Sequence, residues 1–382
     1  MNRRRSTAIA ILLIAAFAAA VAYLPLTAAL AVGALLGLCG VVLFRQPAWR
    51  TASLASMSVL LGLAGLNVAF WLVDPRPVNV GVVKEDNPEH WLIDDDVVGY
   101  KLMPGITVDA KAKYDDQVIY HTKYTIDASS TRVTPGSGPN GPTYLFIGDS
   151  LIFSETLADS ESMVSQFAQS LQPSAHVVNL GVPGYGVNNV VRAVETGQYD
   201  PYVVGKVKAV ITWIAPYHME RVTGDAGWLT WSPRYVLEGD RRIRYTGSFL
   251  VNRLTNPLDG AYYVARHNFT WVAHAVHASM LPKQTELYVA LLARLRDLVK
   301  ERFGAPLVVI TNWPEVEAPF QNDNEYVPAY RAIAALGMPL VSVRQIIGPT
   351  SDWPKYFTPR DGHPNAHLAN LVAQSLRQTL ER

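Results

Sequence analysis

The stretch that most constrains this chain is Thr143 to Ser154, which reads TYLFIGDSLIFS. The apolar run from Tyr144 to Ile147 follows a Pro/Gly-rich stretch and precedes a glycine, which is the pattern of a buried strand that ends abruptly. Gly148, Asp149 and Ser150 stand just past that end. Open α/β sheets bind their ligands at the carboxyl ends of the strands, where backbone N–H groups can face a developing oxyanion. The position favours a nucleophilic role for Ser150, although Gly, Asp and Ser are also ordinary turn residues.

Two further motifs follow toward the C-terminus. A second apolar strand, Val177 to Leu180, runs into the Gly-rich sequence NLGVPGYG, which begins at Asn179 and contains Gly181. The string DGHPN, from Asp361 to Asn365, comes near the end and precedes a helical pattern. Taken alone, this string also reads as a turn and a helix start with proline at the first helical position.

A literal GDSL string, a Gly-rich loop after the next strand, and neighbouring Asp and His residues near the C-terminus together resemble the SGNH/GDSL hydrolase family. The resemblance covers the chain from Thr143 to the end, and Tyr124 to Pro135 looks like the strand and turn that precede this domain in membrane-attached members. It implies an α/β fold, a three-layer α/β/α sandwich with a central parallel sheet (the flavodoxin-like SGNH fold). It also implies that Ser150 is the nucleophile, His363 the base and Asp361 the orienting acid.

The chemistry needs these residue types because a serine hydroxyl is a poor nucleophile until a base removes its proton. A histidine whose tautomer is fixed by a carboxylate suits that task. Most family members place the acid three residues before the histidine, whereas here position 360 is Arg and Asp361 stands two residues before His363. Related acyl-transferring members use the shorter spacing, and a backbone carbonyl is an alternative partner for the histidine.

The resemblance also predicts an oxyanion hole built from the backbone N–H groups of Ser150 and Gly181. The family usually supplies a third donor from Gly-x-Asn-Asp after the third strand, but this chain has APYHMER, Ala215 to Arg221, with no asparagine. Tyr217 or His218 could donate in its place. Losing such a donor can cost on the order of a hundredfold in rate, so a slow or inactive protein is an open alternative.

The C-terminal part alternates strands with helices, which predicts a parallel sheet covered on both faces. The predicted strands are Tyr144–Ile147, Val177–Leu180, Ala209–Ile214, Pro306–Thr311 and Pro339–Val343, and the predicted helices lie at about 160–171, 188–198, 284–303, 326–336 and 364–380. Residues 77–142, called the prelude below, carry strand-like pieces such as Gln117 to Ile126 and predict a small β-rich segment before the catalytic domain at 143–382.

The first 76 residues predict a membrane domain. No charged residue occurs from Ser6 to Phe44, which is about twice the length of one crossing, and Pro25 offers a break. Three transmembrane helices are therefore expected, at about 6–23, 27–44 and 51–73. The arginines at positions 3–5, 45 and 50 predict a multi-pass inner (plasma) membrane protein with a cytoplasmic N-terminus and a periplasmic or extracellular C-terminal domain.

An insert at about 223–281 is rich in aromatic residues. They suit either sugar stacking beside a cleft, or the insert's own core or the membrane surface. The residues are Trp228, Trp231, Tyr235, Tyr245, Phe249, Tyr262, Tyr263, Phe269 and Trp271. His274 and His277 have metal-like spacing, but no carboxylate lies near them in sequence, so they are interpreted as helix-face residues and no metal is predicted.

No cofactor is predicted, because the chain has no P-loop, no GxGxxG after a strand and no cysteine cluster. After Asn79 the chain carries 27 basic and 31 acidic residues, which argues against nucleic acid as a partner.

Two functions fit the sequence. The first is a membrane-anchored, extracytoplasmic serine esterase or O-acyltransferase. It would act on ester groups, O-acetyl above all, of an acylated envelope glycan, and the transferase would need a membrane partner that supplies the acyl donor. The second is a catalytically inactive protein of the same fold that binds glycan or assembles an envelope complex.

Overall fold

The computed structural model describes residues 2–23, 26–73, 82–239, 242–268, 270–316, 323–348 and 350–381. Pro25, the linker Asp74–Val78 and Phe269 lie outside the described residues, as do the side chains of Trp271 and His274. The chain divides into two compact units. The first comprises Met1–Asn79 and Ala261–Ala278, and the second comprises Val80–Gly260 and Ser279–Arg382.

The first unit contains three helices from the N-terminal part of the chain, α1 (Asn2–Tyr23), α2 (Leu26–Leu43) and α3 (Pro47–Val73). Helix α2 packs against both α1 and α3. Glycine allows the close approach to α3, since a Cβ placed on Gly37 would lie 3.1 Å from the carbonyl oxygen of Ser53.

The sequence-based prediction of three transmembrane helices is wrong. Within the ranges that the structure describes, no helix combines the length and the apolar character needed to cross a membrane. A crossing requires about 20 predominantly apolar residues in one helix to match a ~30 Å hydrocarbon core. The predicted multi-pass inner-membrane localisation conflicts with the same finding and is also wrong.

The prelude contributes five strands to the second unit, namely β1 (Val83–Lys84), β2 (Leu92–Asp95), β3 (Gly99–Leu102), β4 (Ile106–Tyr114) and β5 (Gln117–Ile126). Strands β4 and β5 form a long antiparallel hairpin, and β1 pairs with the outer edge of β4. The hairpin turns at Asp115 and Asp116, both with positive φ, as a two-residue turn of this kind requires.

From Thr143 onward the chain alternates strands and helices and carries an insert between β8 and α9, and all of this part belongs to the second unit except Ala261–Ala278. The elements are β6 (Thr143–Gly148), α4 (Ser150–Phe153), α5 (Met163–Ser170), β7 (His176–Gly181), α6 (Val187–Glu195), β8 (Val207–Ile214), β9 (Pro233–Leu237), β10 (Ile243–Ser248), α7 (Phe249–Thr255), α8 (Pro257–Asn268), α9 (Thr270–Phe303), β11 (Leu307–Thr311), α10 (Val327–Ala334), β12 (Leu340–Ser342), α11 (Val343–Ile347) and α12 (Ala366–Glu381). The hairpin β9–β10 and helices α7 and α8 make up most of the insert.

In the described residues a five-stranded sheet has the order β12-β11-β8-β6-β7, and all its pairings are parallel. Both the parallel sheet and the α/β class were predicted. Counted along the chain the order is 2-1-3-4-5, that of flavodoxin-like folds, and it reverses at β6. The carboxyl ends of β6 and β7 meet there, with Gly148 opposite Gly181.

Helices cover both faces of this sheet because its strands are apolar on both sides. Leu145 and Ile147 of β6 belong to the core cluster that includes residues of α6 and α9, while Phe146 between them belongs to the cluster with α5 and α12. All three side chains are fully buried, and each such burial contributes about 1.5–3 kcal/mol. The sheet is thereby held as a rigid platform for the loops at its carboxyl edge.

Candidate active site

Ser150 lies at the carboxyl edge of the sheet, where the strand order reverses. Strand β6 ends at Gly148 and helix α4 begins at Ser150, so the serine sits on a sharp turn from strand to helix. Asp149 caps this short helix, because its Oδ1 accepts a hydrogen bond from the backbone N–H of Leu151 at 3.1 Å. The turn fixes the direction of the serine side chain.

His363 links Ser150 to Asp361 by hydrogen bonds. Its Nε2 lies 2.8 Å from the Oγ of Ser150, and its Nδ1 lies 2.5 Å from Oδ1 of Asp361. Because a carboxylate only accepts hydrogen bonds, Nδ1 carries the proton and Nε2 is left to accept the one from the serine. The structure thus brings together all three residues predicted as a triad.

The two-residue spacing between Asp361 and His363 works because the chain turns tightly there. Arg360 and Gly362 both have positive φ, at 64° and 85°. The backbone N–H of Thr358 donates to the carbonyl oxygen of His363 at 2.7 Å, which closes the turn. Asp361 Oδ1 also accepts from the backbone N–H of His363 at 3.2 Å, so the carboxylate and not a backbone carbonyl faces the imidazole.

The charges around His363 favour its protonated form. Burial alone would lower the pKa of its imidazole, but the carboxylates of Asp361 and Glu155 outweigh this and hold that pKa above its ordinary value. The pKa of Asp361 shifts the other way: burial opposes its ionisation, yet the hydrogen bond to His363 holds its pKa below the ordinary range. A base with a raised pKa beside an ionised carboxylate suits proton transfer.

A second carboxylate stands on the other side of the histidine. Oε2 of Glu155 lies 3.8 Å from His363 Nε2, and the side chain of Glu155 is buried. Its Oε1 forms a short ion pair with Lys84 of strand β1. Neither residue was singled out from sequence. Glu155 is only five positions after Ser150, but Lys84 comes from the prelude, for which only a small β-rich segment was predicted.

Asp149 is the centre of a buried ionic network under the serine. Its Oδ2 accepts from Nη1 of Arg221 at 2.7 Å, and it lies 2.9 Å from Nε2 of His218. Burial raises the pKa of Asp149, but His218 and Arg221 outweigh it and hold that pKa well below its ordinary value. Arg221 Nη1 also donates to the carbonyl oxygen of Tyr185 at 2.5 Å. The GDSL aspartate therefore ties the serine turn to the loop after β8.

His218, predicted as a possible oxyanion donor, is engaged in this network. The ring is buried, its Nδ1 accepts from the backbone N–H of Ala215 at 3.2 Å, and its Nε2 faces Asp149. The Nε2 contact is short but makes no hydrogen bond of good geometry. Burial lowers the pKa of His218 and keeps the ring neutral. Tyr217, the other candidate, is 47% exposed and packs edge-on against His218.

Gly181, predicted as an oxyanion donor, ends β7 directly beside helix α4. A Cβ on this residue would lie 2.3 Å from the backbone nitrogen of Phe153, so only glycine fits. Its N–H donates to Oδ1 of Asn179 at 3.0 Å, and Nδ2 of Asn179 donates to the carbonyl oxygen of Ile152 at 3.1 Å. The buried asparagine thus links the Gly-rich loop to the helix that begins at Ser150.

Arg132 fastens the loop behind the serine to the prelude. The arginine is fully buried, and Nη1 donates to the carbonyl oxygens of Phe153 and Ser154, the latter at 2.8 Å. Nη2 donates to the carbonyl oxygen of Leu157 at 2.5 Å, and Nε contacts Asp159 Oδ1 at 3.2 Å. Arg132 lies in the segment Tyr124 to Pro135, for which the sequence predicts a strand and a turn before the catalytic domain, but the sequence alone does not identify the partners of its guanidinium.

The aromatic residues of the insert take different roles. Tyr235 and Phe249 are buried, whereas Trp228 and Trp231 are each 59% exposed. The indole N–H of Trp228 donates to the carbonyl oxygen of Gly184 at 3.0 Å. That bond holds an open aromatic face on the same Gly-rich loop as Gly181. Tyr262 and Tyr263 belong to the first unit.

In the part of the chain that the structure describes, no three His, Cys, Asp or Glu side chains are arranged as metal ligands.

No protein-family model and no curated protein matches this chain. Among solved structures it is similar to a member of the lipolytic G-D-S-L family from Veillonella parvula, with a TM-score of 0.37, 10% identity, and coverage of 63% of this chain and 100% of that one. It is similar to the lipase/acylhydrolase from Enterococcus faecalis, with a TM-score of 0.34, 13% identity, and coverage of 63% and 97%. It is also similar to an acetyl xylan esterase from Butyrivibrio proteoclasticus, with a TM-score of 0.31, 12% identity, and coverage of 72% and 68%.

Proposed function

We propose that this protein is a serine esterase of the SGNH type that forms an acyl-enzyme on Ser150. The observation that supports this is the chain of hydrogen bonds from Ser150 Oγ through His363 to Asp361, at 2.8 and 2.5 Å. It stands at the sheet edge where such folds bind ligands. A nucleophile, a base within hydrogen-bond reach and a third group that orients the base are the parts that acyl transfer requires.

In the proposed reaction Ser150 Oγ attacks the ester carbon while its proton moves to Nε2 of His363. Asp361 keeps the proton on Nδ1 in place and stabilises the imidazolium that forms. The tetrahedral intermediate collapses as its bond to the alcohol oxygen breaks, and that oxygen takes the proton from Nε2. Water, or a second hydroxyl, then attacks the acyl carbon and gives its proton to Nε2. The second tetrahedral intermediate collapses as its bond to Ser150 Oγ breaks, and Oγ takes the proton from Nε2, which releases the acid or the new ester and restores Ser150.

The oxyanion would be held by the backbone N–H groups of Ser150 and Gly181. Since Gly181 N–H donates to Asn179 in this structure, the substrate oxygen would have to share or replace that bond. The phenol of Tyr217 is the third donor that we favour, because His218 already faces Asp149 and the N–H of Ala215. A neutral phenol can donate one hydrogen bond.

As substrate we propose an ester, above all an O-acetyl ester, on a glycan. The exposed ring of Trp228 is fixed to the loop of Gly181 and offers a flat apolar surface against which a sugar ring can stack. Hydrolysis and transfer to a sugar hydroxyl share the acyl-enzyme and differ only in the acceptor. Transfer would need a partner protein that supplies the acyl donor.

A fluorophosphonate probe on the full-length chain tests the proposal, with Ser150→Ala as the key variant. We expect wild type to be labelled and to hydrolyse p-nitrophenyl acetate, and Ser150→Ala to do neither. Ser129→Ala, in an exposed loop, is the matched control and should behave as wild type. Labelling that survives Ser150→Ala, or a folded wild type that neither reacts nor hydrolyses the ester, would contradict the proposal and favour the non-catalytic alternative.

A further inference from the structure

The carboxylate of Glu155 has no part in the mechanism given above, yet it stands beside the base. Oε2 lies 3.8 Å from Nε2 of His363, the nitrogen that receives the serine proton. Asp361 contacts the opposite nitrogen, Nδ1. The imidazole of His363 is therefore flanked by a carboxylate at each of its two nitrogens.

The backbone around Glu155 is held on both sides. Its own N–H donates to the carbonyl oxygen of Ser150 at 3.0 Å, and the next N–H, of Thr156, donates to the phenol oxygen of Tyr124 at 3.0 Å. Ser154 and Thr156 have positive φ, at 61° and 80°, a conformation that costs free energy for residues with a Cβ. A backbone kept in this state by its surroundings holds the carboxylate at a fixed place.

Lys84 supplies the counter-charge. Its Nζ pairs with Oε1 of Glu155, and its side chain is 44% exposed whereas that of Glu155 is 6% exposed. Strand β1 carries Lys84 and is fixed by its pairing with β4, where Lys84 is opposite Ala112. A nearly buried carboxylate beside the base is thus partly neutralised by a cation that reaches it from the prelude.

We propose that Glu155 is a positioning residue for His363, which stabilises the imidazolium formed during attack by Ser150, and that Lys84 limits the strength of this effect. The inference rests on the proposed function and assigns the prelude a role in it. When Ser150 Oγ bonds to the ester carbon, its proton moves to Nε2, next to Oε2 of Glu155. The proton later leaves with the alcohol oxygen, so Glu155 neither gains nor loses a proton.

Several titratable groups face His363, and the charged ones among them act in different directions. Asp361 lies on its own loop, Glu155 follows α4, Lys84 is on β1, and His218 follows β8. Burial lowers the pKa of His363, the two carboxylates raise it, and Lys84 lowers it. Removing the charge of Glu155 should therefore lower that pKa, and removing the charge of Lys84 should raise it.

A histidine titration by NMR on the full-length protein tests this directly. With ¹³C-labelled histidine, and with the resonance of His363 assigned by its loss in His363→Gln, we expect Glu155→Gln to titrate at lower pH than wild type. Lys84→Gln should move the titration to higher pH, and Lys84→Arg, which keeps the pair, should leave it in place. Glu161→Gln removes an exposed carboxylate six residues further along and is the matched control, with no shift expected.

Kinetics provide the second readout. The acid limb of kcat/KM against pH should follow the NMR midpoint, and above that limb Glu155→Gln should lose about tenfold in kcat/KM, the equivalent of one pKa unit of differential stabilisation. An unchanged His363 titration in folded Glu155→Gln overturns the inference. A shift to lower pH in both Glu155→Gln and Lys84→Gln overturns it as well, because loss of local structure would explain both.

The NMR titration requires no turnover, so the two ideas fail separately. If the enzyme is active but His363 titrates at the same pH in Glu155→Gln as in wild type, only the positioning role of Glu155 is overturned. A protein with no esterase activity overturns the proposed function. In that case a shift in the expected directions still supports the electrostatic coupling of Glu155 and Lys84 to His363.

Discussion

The guanidinium of Arg132 donates to the carbonyl oxygen of Ser154 at 2.8 Å and joins the prelude to the loop directly behind the serine. The same guanidinium lies 4.7 Å from the ring of Tyr124 and 4.6 Å from the ring of Phe153. A planar cation with five donors can stack on rings and bind several carbonyl oxygens at once. The prelude is therefore part of the structure that positions the site.

Arg132→Lys should destabilise the protein by about 3 kcal/mol or more. A lysine cannot reproduce the fork of donors, so buried carbonyl oxygens lose their partners around a cation that is still buried. Urea denaturation followed by tryptophan fluorescence measures the change. Arg244→Lys, at an exposed ion pair, serves as the control and should stay within about 0.5 kcal/mol of wild type. If Arg132→Lys lowers the free energy of unfolding no more than the control does, Arg132 does not hold the loop behind Ser150 as we infer.

The pH dependence of activity should reflect the raised pKa of His363. Burial opposes its protonation, but Asp361 and Glu155 outweigh burial and hold the pKa above the ordinary value of about 6.5. Since the base must be neutral to accept the serine proton, kcat/KM should rise with pH along a limb centred above about 6.5. The same shift stabilises the fold fully below the unfolded pKa, and this stabilisation is lost as pH rises through the folded pKa. A limb centred at or below pH 6.5 would count against this assignment.

Asp149→Asn should be strongly destabilising. The change leaves Arg221 buried without its counter-charge, and breaking a buried pair in this way costs about 3–5 kcal/mol. Because the folded pKa of Asp149 is depressed, its stabilising effect is present above the unfolded pKa of about 3.9 and is lost as pH falls through the folded pKa. Thermal melts of Asp149→Asn and of the exposed control Asp96→Asn, from pH 7 downward, measure both effects. Equal melting temperatures for the two variants would refute the network's importance.

Tyr217 and His218 should differ in what their removal does. If the phenol donates to the oxyanion, Tyr217→Phe lowers kcat/KM for a small acetyl ester by about a hundredfold and leaves stability and probe labelling nearly unchanged. His218→Ala should mainly reduce stability, because it exposes the buried charge of Asp149 to a cavity. Paired kinetics and melting curves separate them. If Tyr217→Phe lowers kcat/KM by only a few fold, the backbone N–H groups of Ser150 and Gly181 are the only oxyanion donors among the candidates.

Trp228→Ala should discriminate between substrates. We expect a higher KM on an acetylated oligosaccharide, by about tenfold, because stacking on an aromatic ring contributes on the order of 1 kcal/mol or more. The kinetics on p-nitrophenyl acetate should remain those of wild type. Trp231→Ala changes an equally exposed ring and is the comparison. Equal losses on both substrates would argue against a sugar site at Trp228.

Local patterns were enough to predict the central sheet and to single out Ser150, Asp361 and His363, which the structure brings together. Strands β6 and β7 and the string around His363 carry their signal within a few residues, and alternation with helices predicts that the sheet is parallel. The flavodoxin-like fold was implied only by the family resemblance. The contacts that fix the site are long-range instead: Lys84 meets Glu155 across 71 positions, and Arg132 meets Leu157 across 25. Such pairs leave no periodic trace in one sequence.

Two other differences have physical causes. Gly181 was predicted only as an oxyanion donor, but the close backbone of Phe153 also requires a glycine at this position. Helix α9 begins 14 residues before its predicted start at Gln284 and includes Pro282, a residue type that usually ends or kinks a helix. In both cases tertiary packing decides what the local pattern left open.

The division into two units has a consequence for truncated variants. Residues Ala261–Ala278 belong to the same unit as Met1–Asn79, while the segments on either side of them belong to the other unit. The unit that carries Ser150 and His363 is therefore discontinuous along the chain. A fragment that starts at residue 80 would retain Ala261–Ala278 but lose the rest of the unit to which they belong. A truncation that isolates the catalytic unit must therefore cut at three places in the chain, one near residue 80 and one on each side of Ala261–Ala278.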